Sequence, residues 1–193
     1  MIRIKTHFLS ILIFLVISSS TASAQTDYII DNDGAKIMGK VKSITFETVK
    51  FIPDGEKKAE KFSPNQIKEA FKIDMGIYKA IIFPDDDIPC FLRVLEDGKI
   101  KLYEYFLKPP PMISPTGFSN GGSVMRWFIQ KENSGLLEIK TNGSLSDRNK
   151  KKDTFLQLIA DNSHLTERYH TNRKLNYELI RSLVVEYNKK AAE

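Results

Sequence analysis

Glycines that directly follow Asp or Asn, such as Gly34, Gly55, Gly98 and Gly143, constrain the fold of this chain more than any other feature. Asp-Gly and Asn-Gly pairs supply the positive φ angles that tight hairpin turns need. The segment 31–34 reads Asp-Asn-Asp-Gly, like the start of a calcium loop, but its glycine comes too early and no glutamate closes it. These glycines therefore predict short antiparallel strands joined by turns.

The segment after Gly34 alternates in the way that a strand with one solvated face does. Lys36, Lys40 and Lys42 share one face of residues 35–42, whereas Ala35, Ile37 and Val41 share the other. Other apolar or alternating runs predict further strands at 46–52, 77–83, 91–95, 99–107, 123–131 and 136–141. The run at 77–83 is almost wholly apolar and predicts a buried strand. The runs at 91–95 and 99–107 flank Asp97-Gly98, and those at 123–131 and 136–141 flank Asn133-Ser134-Gly135, so each pair predicts a hairpin.

The pattern changes to that of helices near residue 146. Apolar residues on one side of 147–160 predict a helix, and 163–169 predicts a short helical turn. The clearest helix spans 172–189, where Leu175, Leu179 and Leu183 repeat at i+4, with Thr171 or Asn172 as its N-cap. Strands followed by helices predict an α+β domain. We expect an antiparallel β-meander or a partly closed barrel at 25–145, with helices of the same domain at 146–193 packed against it.

The first 24 residues have the three parts of a secretory signal peptide. Arg3 and Lys5 give a positive start, residues 8–17 are nearly all apolar, and Ala22-Ser23-Ala24 is a small-x-small cleavage site. The apolar run is shorter than the ~20 residues of a membrane span, so an N-terminal anchor is the less favoured alternative. We expect cleavage after Ala24 and a periplasmic or secreted protein without an integral membrane segment.

Charge restricts the classes of partner. The 169 residues after Ala24 carry 27 basic and 24 acidic side chains, a net charge of +3. Nucleic-acid-binding domains concentrate basic residues in a stripe, which this balance does not indicate. The partner is expected to be a protein or another envelope component, and the oligomeric state is left open. The one basic run, Arg148, Lys150, Lys151 and Lys152, is interpreted as a solvated helix start, with contact to anionic lipid or polysaccharide as the alternative.

Residues able to perform catalysis are sparse. Cys90 lies in a strand-like run, which favours a buried, unreactive thiol over a reactive one. His164 and His170 are six residues apart, not at the i, i+4 spacing of a helical metal pair. The acidic run 85–87 is interpreted as a solvated loop, with calcium binding as the alternative. No G-x-S-x-G elbow, HExxH motif, P-loop or G-x-G-x-x-G fingerprint occurs. We assign no catalytic, cofactor-binding or metal-binding residue, and expect no enzyme.

Four motifs resemble those of uncharacterised exported proteins from Bacteroidetes-type bacteria. These motifs are Gly34-x-x-Ile37-x-Gly39-x-Val41, Ser63-Pro64-x-x-Ile67-x-x-Phe71, Phe91-Leu92-x-Val94-Leu95-x-x-Gly98-x-Ile100-x-Leu102-Tyr103 and the closing Val185-Glu186-Tyr187-Asn188. Many such proteins have a Cys-Pro or Asp-Cys pair where this chain has Asn162-Ser163-His164. The resemblance implies an envelope location and a β-rich fold with C-terminal helices, and it implies no activity.

The function predicted from these features is a binding or structural module of the cell envelope. One alternative is a carrier that holds a small apolar ligand in a cavity between sheet and helices; another is an enzyme of unknown class. Residues 108–122, with four prolines and three glycines, cannot form a central strand and are the candidate contact loop. The competing interpretation, which is favoured, is a disordered or self-packed connection.

Overall fold

The computed structural model describes residues 26–83, 88–107, 112–114, 117–119, 122–132, 134–142, 147–172 and 175–190. The predicted signal peptide at 1–24 and the acidic run at 85–87 lie outside the described residues. The strands are β1 (Tyr28–Asp31), β2 (Lys36–Ile44), β3 (Val49–Pro53), β4 (Glu60–Phe62), β5 (Ile67–Lys72), β6 (Gly76–Ile82), β7 (Pro89–Asp97), β8 (Ile100–Leu107), β9 (Met112–Ser114), β10 (Gly117–Ser119), β11 (Val124–Lys131) and β12 (Leu137–Thr141). The helices are α1 (Arg148–Ile159), α2 (Ser163–Thr171) and α3 (Tyr177–Lys190).

Ten of these strands form one open antiparallel sheet. Their order is β12-β11-β8-β7-β6-β5-β1-β2-β3-β4, so β4 and β12 are its edges. Strands β1 to β4 neighbour one another in chain order, and the pairing of β1 with β5 joins this group to the rest. The predicted α+β class is therefore confirmed: an antiparallel sheet precedes three helices.

The turn chemistry read from the sequence is found at the β1–β2 connection. Gly34 has a φ of +90°, and its N–H donates to the carbonyl of Asp31 at 3.2 Å. The Asp31 carboxylate also accepts from the N–H of Ala35 at 2.8 Å. The segment 31–34 is thus a hairpin turn, as predicted. Strand β2 then alternates as expected, with its lysines exposed and Val41 buried.

Two predicted strands differ from the observed ones. The strand predicted at 46–52 begins only at Val49, because Thr45 and Thr48 close a turn in which the Thr45 N–H donates to the Thr48 carbonyl at 2.8 Å. The strand predicted at 77–83 is not wholly buried, since the Ile82 side chain is 62% exposed. An apolar run therefore indicated a strand here, but not the burial of both its faces.

The last helix starts later than its apolar repeat predicts. Asn176 caps α3, and its side-chain oxygen accepts from the N–H of Leu179 at 2.7 Å. Thr171 and Asn172, the predicted caps, instead lie at the end of α2, where Asn172 donates its N–H to the Tyr169 carbonyl. Leu175 precedes the helix but is still buried. The i+4 spacing of Leu175, Leu179 and Leu183 therefore indicates that these side chains are buried or partly buried, and it does not indicate that one helix contains all three.

The helices cover one part of the sheet and bury a shared apolar core. The predicted stripe is confirmed at Leu183, which is fully buried, while Leu179 is partly buried. The other fully buried members of this sheet–helix core are Ile100, Leu102, Ile129, Phe155, Ile159, Leu165, Ile180 and Val184. The apolar surface buried in this core explains how the domain is stable without an internal disulfide, which its one cysteine cannot form.

A second core lies among β1 to β7 and contains Ile29, Val41, Val49, Phe51, Ile67, Ala70 and Phe91. The 45–48 turn reaches across it to β7, where the N–H of Phe91 donates to the Phe46 carbonyl at 2.9 Å. The Phe46 ring contacts the rings of Phe83 and Tyr105 at centroid distances of 5.3 and 4.7 Å. Strands β2 and β3 are thereby fixed to the middle of the sheet at a point where no ladder pairing joins them.

Residues 108–122 are partly described and contain an unexpected element. Strands β9 and β10 pair as a separate two-stranded hairpin, with Ile113 opposite Phe118. The sequence predicts no strand at 112–114 or 117–119, and the observed hairpin lies outside the ten-stranded sheet, in agreement with the exclusion of a central strand. Proline excluded a central strand here, but it does not prevent three-residue strands on either side of Pro115.

Candidate functional site

Cys90 has the features of a structural residue. Its side chain is 1% exposed on β7, and Sγ lies 3.4 Å from the Ile81 carbonyl, to which it donates. Burial raises the pKa of the Cys90 thiol to about 12. Since the thiolate is the nucleophilic form, this environment opposes reactivity at neutral pH. The predicted burial is confirmed, and low reactivity stays a prediction.

The two histidines of the helical region do not come together. His164 Nδ1 lies 3.1 Å from a carboxylate oxygen of Glu186, which also pairs with Arg168. His170 instead packs edge-on against the ring of Tyr169, at a centroid distance of 5.6 Å. Across the described ranges, no group of three or more His, Cys, Asp or Glu side chains is arranged to hold a metal ion.

The basic run at the start of α1 is partly a structural contact. Lys151 Nζ donates to Glu138 Oε1 at 2.6 Å, and Arg126 Nε donates to Glu138 Oε2 at 3.0 Å. These contacts tie α1 to β12 and β11 around a carboxylate that is mostly shielded from solvent. Lys150, by contrast, is exposed. The interpretation of 148–152 as a solvated helix start therefore fails for Lys151, whose partner lies ten residues or more away in sequence.

A small cavity of about 100 Å³ lies between the 45–48 turn and strands β6 to β8. Its two charged groups are paired: Arg93 Nη1 lies 3.4 Å from Glu104 Oε1, and Glu104 Oε2 also accepts from Nε1 of Trp127, outside the cavity lining, at 3.1 Å. Burial raises the pKa of Tyr78, whose side chain also lines the space. Ligand pockets usually measure roughly 300–1,000 Å³, so a cavity of this size has no room for a lipid or a cofactor. It also does not lie between sheet and helices, where the carrier alternative places its ligand.

A larger feature is the outer surface of β2, β3 and β4, which displays five exposed lysines. We call Lys36, Lys40, Lys42, Lys50 and Lys61 the lysine face. Each lysine of β2 and β3 alternates with side chains that turn toward the second core, such as Val41, Val49 and Phe51. Because strand residues alternate between faces, all five side chains point away from that core.

The register of the strands brings like charges directly opposite each other. Lys50 is the partner of Lys61 across the β3–β4 pair. Lys42 sits at an irregularity of the β2–β3 pair, where Val41 is opposite Phe51 and Ser43 is opposite Lys50. Like charges directly opposite in a sheet are destabilising. In the described part of the chain, none of Lys42, Lys50 and Lys61 forms an ion pair within 4 Å.

Carboxylates occur only around the rim of the lysine face. Glu60 is the register partner of the buried Phe51, so it belongs to the opposite side of β4. Asp54 follows the end of β3 and donates its N–H to the Met38 carbonyl at 3.0 Å, whereas Glu47 lies in the 45–48 turn. The three strands therefore carry five lysines and no carboxylate on their outer side.

Apolar groups lie beside these lysines. Met38, between Lys36 and Lys40 on β2, is 37% exposed, and Ile73 after β5 is 60% exposed. The Lys36 ammonium lies 3.8 Å from the centroid of the Tyr28 ring, over its face. The surface thus combines cationic and apolar side chains, a combination that suits an anionic partner with an apolar layer.

The sequence indicated only part of this surface. Alternation placed Lys36, Lys40 and Lys42 on one face, but 46–52 was predicted as a continuous strand and 57–62 was assigned no element. The row of Lys42, Lys50 and Lys61 depends on the pairing of β2 with β3 and of β3 with β4, which brings Lys50 and Lys61 beside Lys42. The i, i+2 spacing of Lys40 and Lys42 within 35–42 was the available signal, although the small net charge of the chain concealed it.

Comparisons with protein-family models, with curated proteins and with solved structures find no match for this chain. Within the described residues, each helix is too short or too polar to cross a bilayer.

Proposed function

We propose that this protein is an exported, non-catalytic binding module of the cell envelope that engages an anionic envelope component through the lysine face. The observation that carries the proposal is the row formed by Lys42, Lys50 and Lys61. Five outward lysines on three neighbouring strands produce a local positive potential that a net charge of about +3 conceals. Such a potential attracts polyanions and anionic surfaces and raises their association rate.

The energetics support a role for this row in binding. A directly opposed Lys–Lys pair in a sheet weakens the fold relative to neutral residues. The β3–β4 register places Phe62 opposite the buried Val49, where Phe62 packs against the second core, and the same register places Lys61 opposite Lys50. An anion bound beside Lys50 and Lys61 would reduce the repulsion between them, so anion binding and this register are compatible.

Protection of a sheet edge is the competing explanation, since charged residues on edge strands oppose pairing with other chains. This explanation accounts for Lys61, because β4 is an edge strand of only three residues. It does not account for Lys40 and Lys42, because β2 is an interior strand with neighbours on both sides. Anion binding accounts for all of the lysines on the face.

A rigid platform supports this function, and we propose that β1 to β7 form it as a partly closed barrel. The sheet is open between β4 and β12, but the hydrogen bond from Phe91 to Phe46 links the β2–β3 turn to β7. The second core fills the space that this link encloses. Lysines on strands held in this way keep their spacing, so less ordering is needed when an anion binds.

The direct test measures binding of the protein to immobilised dextran sulfate, a polyanion without an apolar part. The triple variant Lys42→Gln, Lys50→Gln, Lys61→Gln is compared with the matched triple Lys150→Gln, Lys189→Gln, Lys190→Gln, whose lysines are exposed on α1 and α3. Both triples remove three positive charges. We expect wild type and the helix triple to bind with strong dependence on salt and the face triple to lose most binding, since each phosphate-like contact that is lost reduces the salt slope by about one unit.

The proposal fails if the two triples lose binding equally, because the interaction then follows net charge rather than the lysine face. It also fails if wild-type protein does not bind at about 50 mM salt, where surface electrostatics are screened less than at physiological salt. The edge-protection explanation makes a different forecast: the face triple should self-associate, which sedimentation velocity detects.

A further inference from the structure

We infer that the anionic partner of the lysine face is a phospholipid bilayer surface, and that Met38 and Ile73 enter its headgroup region. This inference rests on the proposed function and narrows it to one partner. Two properties of the lysine face favour a bilayer as the partner: the chemistry of its charges and the apolar side chains beside them.

The charges of the face are all lysines, and they are spread over three neighbouring strands. Strands lie roughly 4.8 Å apart and alternate residues of one strand roughly 6.7 Å apart, so the ammonium groups are distributed over an area rather than gathered around one point. Lysine is a point charge without the planar fork with which arginine grips a single phosphate or carboxylate. Distributed point charges suit a layer of many mobile phosphates better than one defined anionic ligand.

The apolar residues separate a bilayer from a soluble polyanion. Met38 lies between two lysines of β2 and is 37% exposed, and the Ile73 side chain is 60% exposed. A polysaccharide or polyphosphate would leave both side chains in water. A bilayer buries apolar side chains at its headgroup boundary while the lysines stay at the level of the phosphates, as at the surface of interfacial amphipathic helices.

Asp27 links the backbone of Ile73, which follows β5, to the backbone of β2. Its carboxylate accepts from the N–H of Val41 at 2.9 Å through Oδ2 and from the N–H of Ile73 at 2.9 Å through Oδ1. Its carbonyl accepts from the N–H of Gly39, the neighbour of Met38. One residue therefore holds the backbone of Ile73 close to the part of β2 that carries Met38, Lys40 and Lys42.

The experiment uses co-sedimentation of the protein with phosphatidylcholine vesicles that contain about one third phosphatidylglycerol, with pure phosphatidylcholine vesicles as the uncharged reference. Wild type is expected to bind the anionic vesicles alone, and raising the salt should weaken the binding. The triple Lys42→Gln, Lys50→Gln, Lys61→Gln is expected to bind about a hundredfold more weakly, given the usual contribution of each lysine near an anionic membrane. The triple Lys150→Gln, Lys189→Gln, Lys190→Gln should bind like wild type.

The apolar part is tested by the double variant Met38→Gln, Ile73→Gln. It is expected to lose about tenfold in vesicle affinity and to keep its binding to dextran sulfate, because only the bilayer buries these side chains. The matched control is Ile82→Gln, Ile88→Gln, which alters residues of 62% and 60% exposure beside the β6–β7 connection. This control should bind both partners like wild type.

Each result separates the inference from the proposed function. Binding to dextran sulfate without binding to anionic vesicles overturns the bilayer assignment and leaves a soluble polyanion, such as a polysaccharide, as the partner. Equal loss in the Met38/Ile73 and Ile82/Ile88 variants also overturns it, because the apolar contribution is then not local. Absence of binding to both partners overturns the proposed function as well.

Discussion

The side chain of Asn188 pairs with both backbone groups of Ile100, although the two residues are 88 positions apart. Asn188 Nδ2 donates to the Ile100 carbonyl and Asn188 Oδ1 accepts from the Ile100 N–H, each at 2.8 Å. A Cβ on Gly98 would lie 2.4 Å from Asn188 Cγ, so the turn between β7 and β8 has no side chain at this point. The end of α3 is therefore fastened to a hairpin of the sheet by a contact that depends on one amide and one glycine.

Removing this amide should destabilise the whole domain. Asn188→Ala leaves the two Ile100 groups without these partners, and we expect a loss of about 1–3 kcal/mol in the free energy of unfolding. For a domain of this size, each kcal/mol lowers Tm by roughly 2–4 °C. Differential scanning calorimetry measures the change. Asn149→Ala, on the exposed side of α1, is the control and should change stability by less than about 0.5 kcal/mol. Equal melting of the two variants would contradict the fastening role.

The contact between Asn188 and Ile100 gives a structural role to residues that the sequence motifs contain but do not explain. Gly98 and Ile100 belong to one motif and Asn188 to another, and only the fold brings the two motifs together. Periodicity likewise indicated that Leu175 is buried, but it could not show that Asn176 rather than Asn172 starts the helix, since a buried residue before a cap continues the apolar repeat. Local signals predicted the turns and the strand faces, whereas the register that opposes Lys50 to Lys61 depends on long-range pairing.

Gly39 provides a test of close packing between strands. A Cβ built there would lie 2.2 Å from the Ile52 carbonyl oxygen and 2.9 Å from Pro53 Cα, and both atoms belong to the backbone of β3. Gly39→Ala must therefore separate β2 from β3, and we expect a loss of about 2 kcal/mol or more. The matched control is Gly135→Ala, since a Cβ at Gly135 meets nothing within 4 Å. Urea unfolding of both variants decides the matter, and a Gly39→Ala protein as stable as the control would show that β3 can shift freely.

Cys90 should react slowly in the native protein and rapidly after denaturation. Its thiol is 1% exposed, and its raised pKa of about 12 leaves almost no thiolate at neutral pH. Labelling with a maleimide, with and without guanidinium, measures the ratio of the two rates. Rapid native labelling at pH 7 would contradict the buried environment.

The same raised pKa makes stability depend on alkaline pH. The folded thiol titrates near 12 and the unfolded thiol near 9.0, so the folded state keeps a proton that the unfolded state releases between these values. The contribution is fully present below about pH 9 and is lost as pH rises toward 12. Buried Tyr103, with its pKa raised from 10.0 to about 12, acts in the same direction. We expect Tm to fall above pH 9, and to fall less steeply in Cys90→Ala; an identical pH profile would assign the effect to the tyrosines alone.

Replacing Lys61 by glutamate separates the binding role of the lysine face from its cost to the fold. Lys61→Glu converts the directly opposed Lys50–Lys61 pair into an opposite-charge pair, and such cross-strand pairs contribute roughly 0.2–1 kcal/mol. We therefore expect Tm to rise by about 1–3 °C, as calorimetry at low salt would detect, while binding to anionic vesicles weakens. The gain should shrink at high salt, because both residues are exposed and their interaction is screened.

Lys57→Glu is the matched control for the stability effect, since Lys57 is exposed in the β3–β4 connection and has no cross-strand partner. It changes the net charge by the same amount and should leave Tm nearly unchanged. A higher Tm together with weaker vesicle binding in Lys61→Glu would mean that the lysine row lowers stability and serves the anionic partner. A lower Tm would mean that the row stabilises the fold by itself, and the main physical argument for a binding surface would be lost. Self-association of Lys61→Glu at unchanged vesicle affinity would instead assign Lys61 to the protection of the β4 edge.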